Sequence, residues 1–399
     1  MPAINSSHAL GAGKAATVVA GPTLVTLIPM AAVPSLATMA KRFAGAFGGD
    51  GAFLAQLVMT MPAVSLILSA PLIGWLAVRF GRRITLLGAL VLFVFAGATP
   101  LLPIDAATLM VSRMILGMAG AGMLTVCLAL AADFPEGGPR ERILGFSVAG
   151  ASLVAAVTLV GGGHLVDRFG WQAPFALYLF GIPVFVAVWV AVGEPGERKV
   201  PGASGSFRGL RPFVRHWMVF ACAVVLSIGM FMPSVQGPFL LSARGITSAV
   251  TYGAVAAACA TVAACASAGF GWVVRIVGVS RMFALIALVF GVGSLMMALS
   301  SELSGMVLGS AIMGIAAGWV EATGATLILG RVSEEFRPAA IGTLISSVFL
   351  GQFLNPWVVD PLRHAFGIAG AFAAVGAFFC CLALALVVLV QRETAPAWR

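Results

Sequence analysis

Residues 74–83 read GWLAVRFGRR, and residues 271–280 read GWVVRIVGVS. The first follows an uncharged run over 51–78 and opens into another over 84–104; the second sits between uncharged runs over 245–274 and 282–301. About 20 consecutive apolar residues suffice to cross a bilayer as a helix, so each stretch is the turn of a membrane hairpin. The two stretches stand 197 residues apart, and the register holds well beyond them. Gly74, Trp75 and Gly81 meet Gly271, Trp272 and Gly278, and Gly117 meets Gly314. Arg140, Gly145, Phe169 and Gly170 meet Arg337, Gly342, Phe366 and Gly367 at the same offset. Chance apolar similarity does not hold one register across loops and helices, so the chain is read as two parallel copies of one unit.

Composition agrees. Of 399 residues, 60% are hydrophobic and 9% charged, with a mean hydropathy of +1.06. So few charges cannot coat a soluble protein of 40.8 kDa, and secreted, disordered and cytosolic classes are excluded. Apolar windows predict twelve transmembrane helices over about 17–39, 52–76, 84–102, 106–132, 143–165, 172–192, 216–240, 249–274, 282–300, 305–330, 338–359 and 366–390. The net charge of +9 is dispersed between these runs, which argues against nucleic acid as a partner and for the lipid bilayer. With the N-terminus inside, 17 basic residues face the cytoplasm and 5 face outward, placing both termini in the cytoplasm. The first apolar stretch is too long for a cleaved leader and reads as a permanent span. The six cysteines lie within apolar runs at spacings that suggest packing, with no cofactor or metal expected.

The longest polar break, GEPGERKVPGASGSFRGLRPFVR over 193–215, divides the chain into an N-terminal six-helix half (1–192), a cytoplasmic linker (193–215) and a C-terminal six-helix half (216–399). No other break is long enough for a nucleotide-binding module, which argues against ATP-driven transport by this chain alone. The fold class is therefore an all-α membrane protein of two pseudo-symmetric six-helix bundles.

The stretch Gly74–Arg83 resembles the loop signature of the major facilitator superfamily, commonly written G-x-L-x-D-R-x-G-R-R, with Gly74, Leu76, Arg79, Gly81, Arg82 and Arg83 in place. LMVSRMILGMAG over 109–120, GGHLVDRFGW over 162–171 and GQFLNPWVVDPL over 351–362 are similar to that family's fourth helix, fifth-helix exit and eleventh helix. The resemblance covers essentially the whole chain. It implies the major facilitator fold, a solute site near the midplane between the halves, and a role for Gly74, Arg79, Gly81, Arg82 and Arg83 as a cytoplasmic gating loop. Two departures stand out: Val78 replaces the usual Asp, and Thr158 and Leu159 stand where antiporter-type relatives have Gly-Pro.

A charge inside the bilayer costs about 2.5–3.5 kcal/mol on insertion scales and so faces a cavity or a partner. Within the predicted spans only Arg113 and Glu321 carry one. Under the repeat, Glu321 corresponds to Leu124, eleven residues beyond Arg113, which places both charges on equivalent helix faces about 16 Å apart in depth. Arg113 is read as a cation for an anionic or carbonyl-bearing solute, or as a tie to backbone and neighbouring helices. Glu321 is read as the proton-coupling group, buried and without a basic partner, or as a carboxyl satisfied at the inner end of the bundle.

Further solute-binding candidates are Gln56, Thr60, Gln236, Tyr252, Gln352 and Asn355, each of which could instead bond helix to helix. Trp319 could stack on a planar solute or serve packing. The four histidines are scattered and the acid is single, which excludes an enzyme. The function expected is secondary active transport of a small organic solute by alternating access, proton-coupled and working as a monomer in a bacterial inner membrane. Export of drug-like compounds or metabolites leads; uptake of a nutrient such as a vitamin or iron chelate, or passive facilitation, is the alternative.

Overall fold

A computed structural model describes residues 3–47, 50–103, 105–135, 138–191 and 216–394; the linker over 193–215 lies outside the described residues. The chain forms two compact units, Met1–Gly205 and Ser206–Arg399. Within them all regular structure described is helical.

In unit 1, α1 (Ala3–Met30) is interrupted after Pro29, passes through a 3-10 turn at Val33–Ser35 and resumes as α2 (Leu36–Phe47). Pro29 and Pro34 each lack an N–H for a continuous ladder, which accounts for the interruption. The span predicted at 17–39 therefore covers two helices. Asp50 starts α3 (Gly51–Phe80) by accepting from the N–H groups of Ala52 at 2.9 Å and Phe53 at 3.1 Å. α4 (Arg82–Ala98) and α5 (Ala106–Ala131) follow, the latter capped by Asp105. The Thr108 hydroxyl and amide, by hydrogen bonding, hold the Asp105 carboxyl below the usual carboxylate range. After α6 (Pro139–Phe169), the span predicted at 172–192 begins as an eight-residue 3-10 helix, Ala173–Phe180, before α7 (Gly181–Ala191).

Unit 2 comprises α8 (Trp217–Val235), α9 (Gly237–Ala243), α10 (Ala249–Val277), α11 (Val279–Leu299), α12 (Leu303–Leu329) and α13 (Arg337–Thr394). The last is two helices meeting at Gly367, whose φ of 71° is non-helical. Its 51-residue apolar stretch, Ala339–Leu389, would extend about 77 Å as one rod, far beyond a hydrocarbon core of about 30 Å, so it accounts for two crossings. The eleventh helix runs on past the predicted end at 359 to this break. Asp360, Arg363 and His364 thus stand on helix, with the Arg363 and Asp360 side chains ion-paired.

The repeat is physical. α3 packs on α5 as α10 packs on α12, α4 on α5 as α11 on α12, and α1 on α6 as α8 on α13. Gly81 and Gly278 turn their hairpins with φ of 89° and 82°, backbone values that favour glycine. A Cβ on Gly117 would overlap the Pro62 carbonyl, and one on Gly314 the Cys259 carbonyl. Pro62 and Cys259 are themselves 197 residues apart. Surface and interior follow the membrane pattern: large apolar side chains such as Phe95, Val190, Leu299 and Leu384 are exposed, while Gln56, Thr60, Ser227, Gln236, Ser294, Ser310 and Asn355 are buried.

Candidate solute and proton site

In unit 1, Arg113 projects from α5 into a cage. Its Nη2 donates to the Ala96 carbonyl and, at 3.3 Å, to the Gly97 carbonyl, and its Nε donates to Ser112 Oγ at 3.4 Å. The guanidinium carbon lies 5.4 Å from the Phe175 ring centre and 5.9 Å from that of Tyr178. Those two rings are stacked at 6.2 Å with planes 25° apart. The 3-10 helix explains this shelf: with three residues per turn, positions three apart eclipse, so Phe175 and Tyr178 point the same way. Gly97 lets the Tyr178 ring lie against α4, where a Cβ would overlap it. The Tyr178 hydroxyl lies 2.9 Å from the Ile28 carbonyl and 3.2 Å from that of Leu27, just before the interruption in α1.

Arg113 is 1% exposed, and among the described residues no carboxylate pairs with it. This geometry is that of a tie between helices, with carbonyls and π faces in place of a counter-ion. Gln56 and Thr60 are fully buried on α3, and the Thr60 hydroxyl donates to the Gln56 carbonyl at 3.1 Å within its own helix.

In unit 2, Gln236 Nε2 donates to Asn355 Oδ1 at 2.9 Å, and Asn355 Nδ2 donates to the Ile228 carbonyl at 2.9 Å, joining α8 to α13. Gln352 is buried about one turn before Asn355. Tyr252 donates to the Ile246 carbonyl at 2.7 Å, on the first turn of α10 and about 21 Å along it from Ala266. Trp319 Nε1 donates to that Ala266 carbonyl at 2.9 Å, while Ser267 Oγ donates to the Gly318 carbonyl at 2.8 Å, tying α10 to α12.

Glu321 comes next on α12, beyond these contacts. Its side chain lies deep within unit 2 yet keeps accessible surface, as do Cys265, Ser267, Ala268 and Gly269 on the neighbouring stretch of α10. The α10–α12 contacts named above, at Gly318 and Trp319, leave the Glu321 carboxyl without a hydrogen-bond partner among the described residues. The structure thus brings Gln236 together with Asn355, turns Trp319 onto α10 and away from the face that carries Glu321, and holds Tyr252 apart.

The loop residues divide by partner. Arg82 Nη1 reaches Asp133 Oδ1 at 3.0 Å and Oδ2 at 3.1 Å, and the Ala129 carbonyl at 3.2 Å. Arg83 donates to the Trp189 carbonyl at 2.6 Å with its guanidinium 5.4 Å from that ring's centre. Arg79 is exposed with no ion pair or hydrogen bond among the described residues, and Gly74 faces open space. Asp133 and Tyr178 are absent from the sequence-derived candidates. Asp133 is legible in hindsight as the first charged residue after the fourth span; nothing in the sequence marks Tyr178 as a partner of Arg113.

Known proteins bear on this arrangement. The chloramphenicol resistance protein of Streptomyces lividans is 29% identical over 318 residues, covering 73% of this chain and 78% of that protein. The drug efflux pump JefA of Mycobacterium tuberculosis is 31% identical over 113 residues, 28% of this chain and 22% of that protein. A bacterial homolog of the human lysosomal transporter Spinster, solved in an inward-facing, unoccupied conformation, superposes with a TM-score of 0.74 at 18% identity, covering 96% of this chain and 99% of that one. That likeness speaks for the fold alone. The sequence pattern defining the Major Facilitator Superfamily matches residues 19–301. This multi-pass membrane protein, with its duplicated helical units, therefore belongs to the Major Facilitator Superfamily and is a transporter.

Proposed function

We propose that the protein exports small, largely apolar organic solutes across a bacterial inner membrane, by alternating access of its two halves and at the expense of a proton gradient. Its similarity over most of its length to a chloramphenicol resistance protein supports export. The observation that carries the coupling is Glu321: a carboxylate within a spanning helix that keeps accessible surface and has no ion pair or hydrogen bond among the described residues. A coupling acid must exchange protons with water in at least one state, and an open, unpaired carboxyl meets that requirement where a tied one does not.

Trp319, buried and bonded to the Ala266 carbonyl, is assigned to the α10–α12 packing. Arg113 is assigned to the scaffold of unit 1, since its Nη2 and Nε donors are already engaged and its face lies on two rings. Arg79, Arg82 and Arg83 serve the gating loop, both termini lie in the cytoplasm, and the working unit is a monomer.

The test is Glu321→Gln in proteoliposomes with an imposed pH gradient, using chloramphenicol as the first solute. The variant is expected to bind and passively exchange solute but to lose gradient-driven accumulation. Accumulation equal to wild type would remove Glu321 from the coupling step. Equal wild-type transport with and without the gradient would replace the proton with another driving force.

A further inference from the structure

A groove of about 400 Å³ runs along unit 1 between α3, α4 and α5 at the Gly81 end. Ile73, Leu76 and Phe80 form one wall, Ile84 and Leu92 the other, and Met118 the floor. The polar side chain in the lining is Thr85, and its hydroxyl is already bonded to the Gly81 carbonyl at 2.9 Å. Nothing in the lining is left to orient a polar solute, and the groove lies on helices immersed in hydrocarbon. Its natural filling is an acyl chain.

One end of the groove is charged. Arg79 is not itself in the lining, but it stands three residues, nearly one helical turn, after the wall residue Leu76, within side-chain reach of that end of the groove. Its neighbours are occupied: Arg82 by Asp133, and Arg83 by the Trp189 carbonyl and ring. Arg79 is exposed with no such partner, and Val78 offers it no carboxylate. Trp75, also exposed, meets Phe80 edge-on at 6.4 Å, which suits the depth where headgroups begin. A solvated cation beside an aromatic rim and an apolar trough is complementary to a phosphodiester joined to a hydrocarbon tail.

We propose that this groove is a binding site for one anionic phospholipid, its chain along Leu76, Phe80 and Leu92 and its phosphate on Arg79. The inference is independent of the transported solute and of Glu321.

The structure provides clean probes. Gly88 lines the groove, and a Cβ there meets nothing within 4 Å, so Gly88→Phe or Gly88→Leu starts its side chain in open space at the trough. Arg79→Gln removes the charge at an exposed site. Lipid binding to the purified full chain in detergent is measured by native mass spectrometry, using phosphatidylglycerol and phosphatidylcholine with identical chains. The wild type is expected to hold phosphatidylglycerol about fivefold more tightly, the preference that a single cation near the surface confers. Arg79→Gln should bring it to the phosphatidylcholine level, and both Gly88 variants should weaken the two lipids together while eluting as folded protein. Equal wild-type affinity for the two lipids overturns the proposal. So does undiminished phosphatidylglycerol binding in either class of variant, or displacement of the lipid by chain-free glycerol phosphate.

Discussion

Arg113→Ala is expected to weaken unit 1 itself. The substitution deletes the Nη2 bonds to the Ala96 and Gly97 carbonyls and leaves the Phe175 and Tyr178 faces without their cation. Interhelical hydrogen bonds in membranes are worth about 0.6 kcal/mol on average and about 1.7 at most, and a desolvated cation–π contact about 2. Two such bonds and one shared ring contact give about 3–5 kcal/mol. The unfolded reference does not cancel this gain, because α5 remains inserted there and its guanidinium faces hydrocarbon at a cost of about 2.5–3.5 kcal/mol. Arg113→Lys should recover about half, since an ammonium reaches a carbonyl but offers no flat face to two rings. The assay is reversible unfolding in mixed micelles, with solute affinity measured in parallel on the folded fraction. A variant that loses less than about 1 kcal/mol of stability yet no longer binds solute would refute the cage and return Arg113 to the solute site.

Gly117→Ala and Gly314→Ala should each lower the folded yield, because a Cβ at either position runs into a rigid backbone carbonyl; overpacking of this kind typically costs about 1–3 kcal/mol. Gly74→Ala, facing open space, serves as the control, and size-exclusion profiles of fluorescent fusions report all three. For Arg82 and Asp133, at 11% and 22% side-chain exposure, a double-mutant cycle with Arg82→Gln and Asp133→Asn should return a coupling of about 1 kcal/mol. A coupling near zero would show that the Ala129 carbonyl alone holds Arg82.

Hydropathy and the offset register carry most of the architecture, because a span is defined by a length of apolar sequence and a hairpin by the charges and glycines that end it. Both properties are local. The interruption of α1 and the 3-10 start of the sixth span are harder to read, although Pro29, Pro34 and Pro174 mark the places. A proline shows where a ladder weakens and leaves open which alternative the backbone takes. The site divides in the same way. That Arg113 and Glu321 are exceptional follows from the scarcity of intramembrane charge, whereas their surroundings depend on packing. Arg113 is enclosed because a 3-10 turn aligns two rings, and Glu321 is left without a partner because the polar groups of α10 near it bond to the Gly318 carbonyl and to Trp319 instead. The amides of Gln236 and Asn355 show the same dependence, since only the approach of α8 to α13 selects each as the other's partner.

The paired close approaches at Gly117 and Gly314 have a consequence for how this chain came to carry its chemistry. The backbone contact exists in duplicate, but the charges do not: Ser310 occupies the position equivalent to Arg113, and Leu124 the position equivalent to Glu321. The glycines meet the same steric demand in both copies, whereas the polar positions differ between them. A tandem chimera of two N-terminal halves would inherit two cation cages and no intramembrane acid, and one of two C-terminal halves the reverse. Single-copy charges on a two-copy frame mean that neither half can stand in for the other.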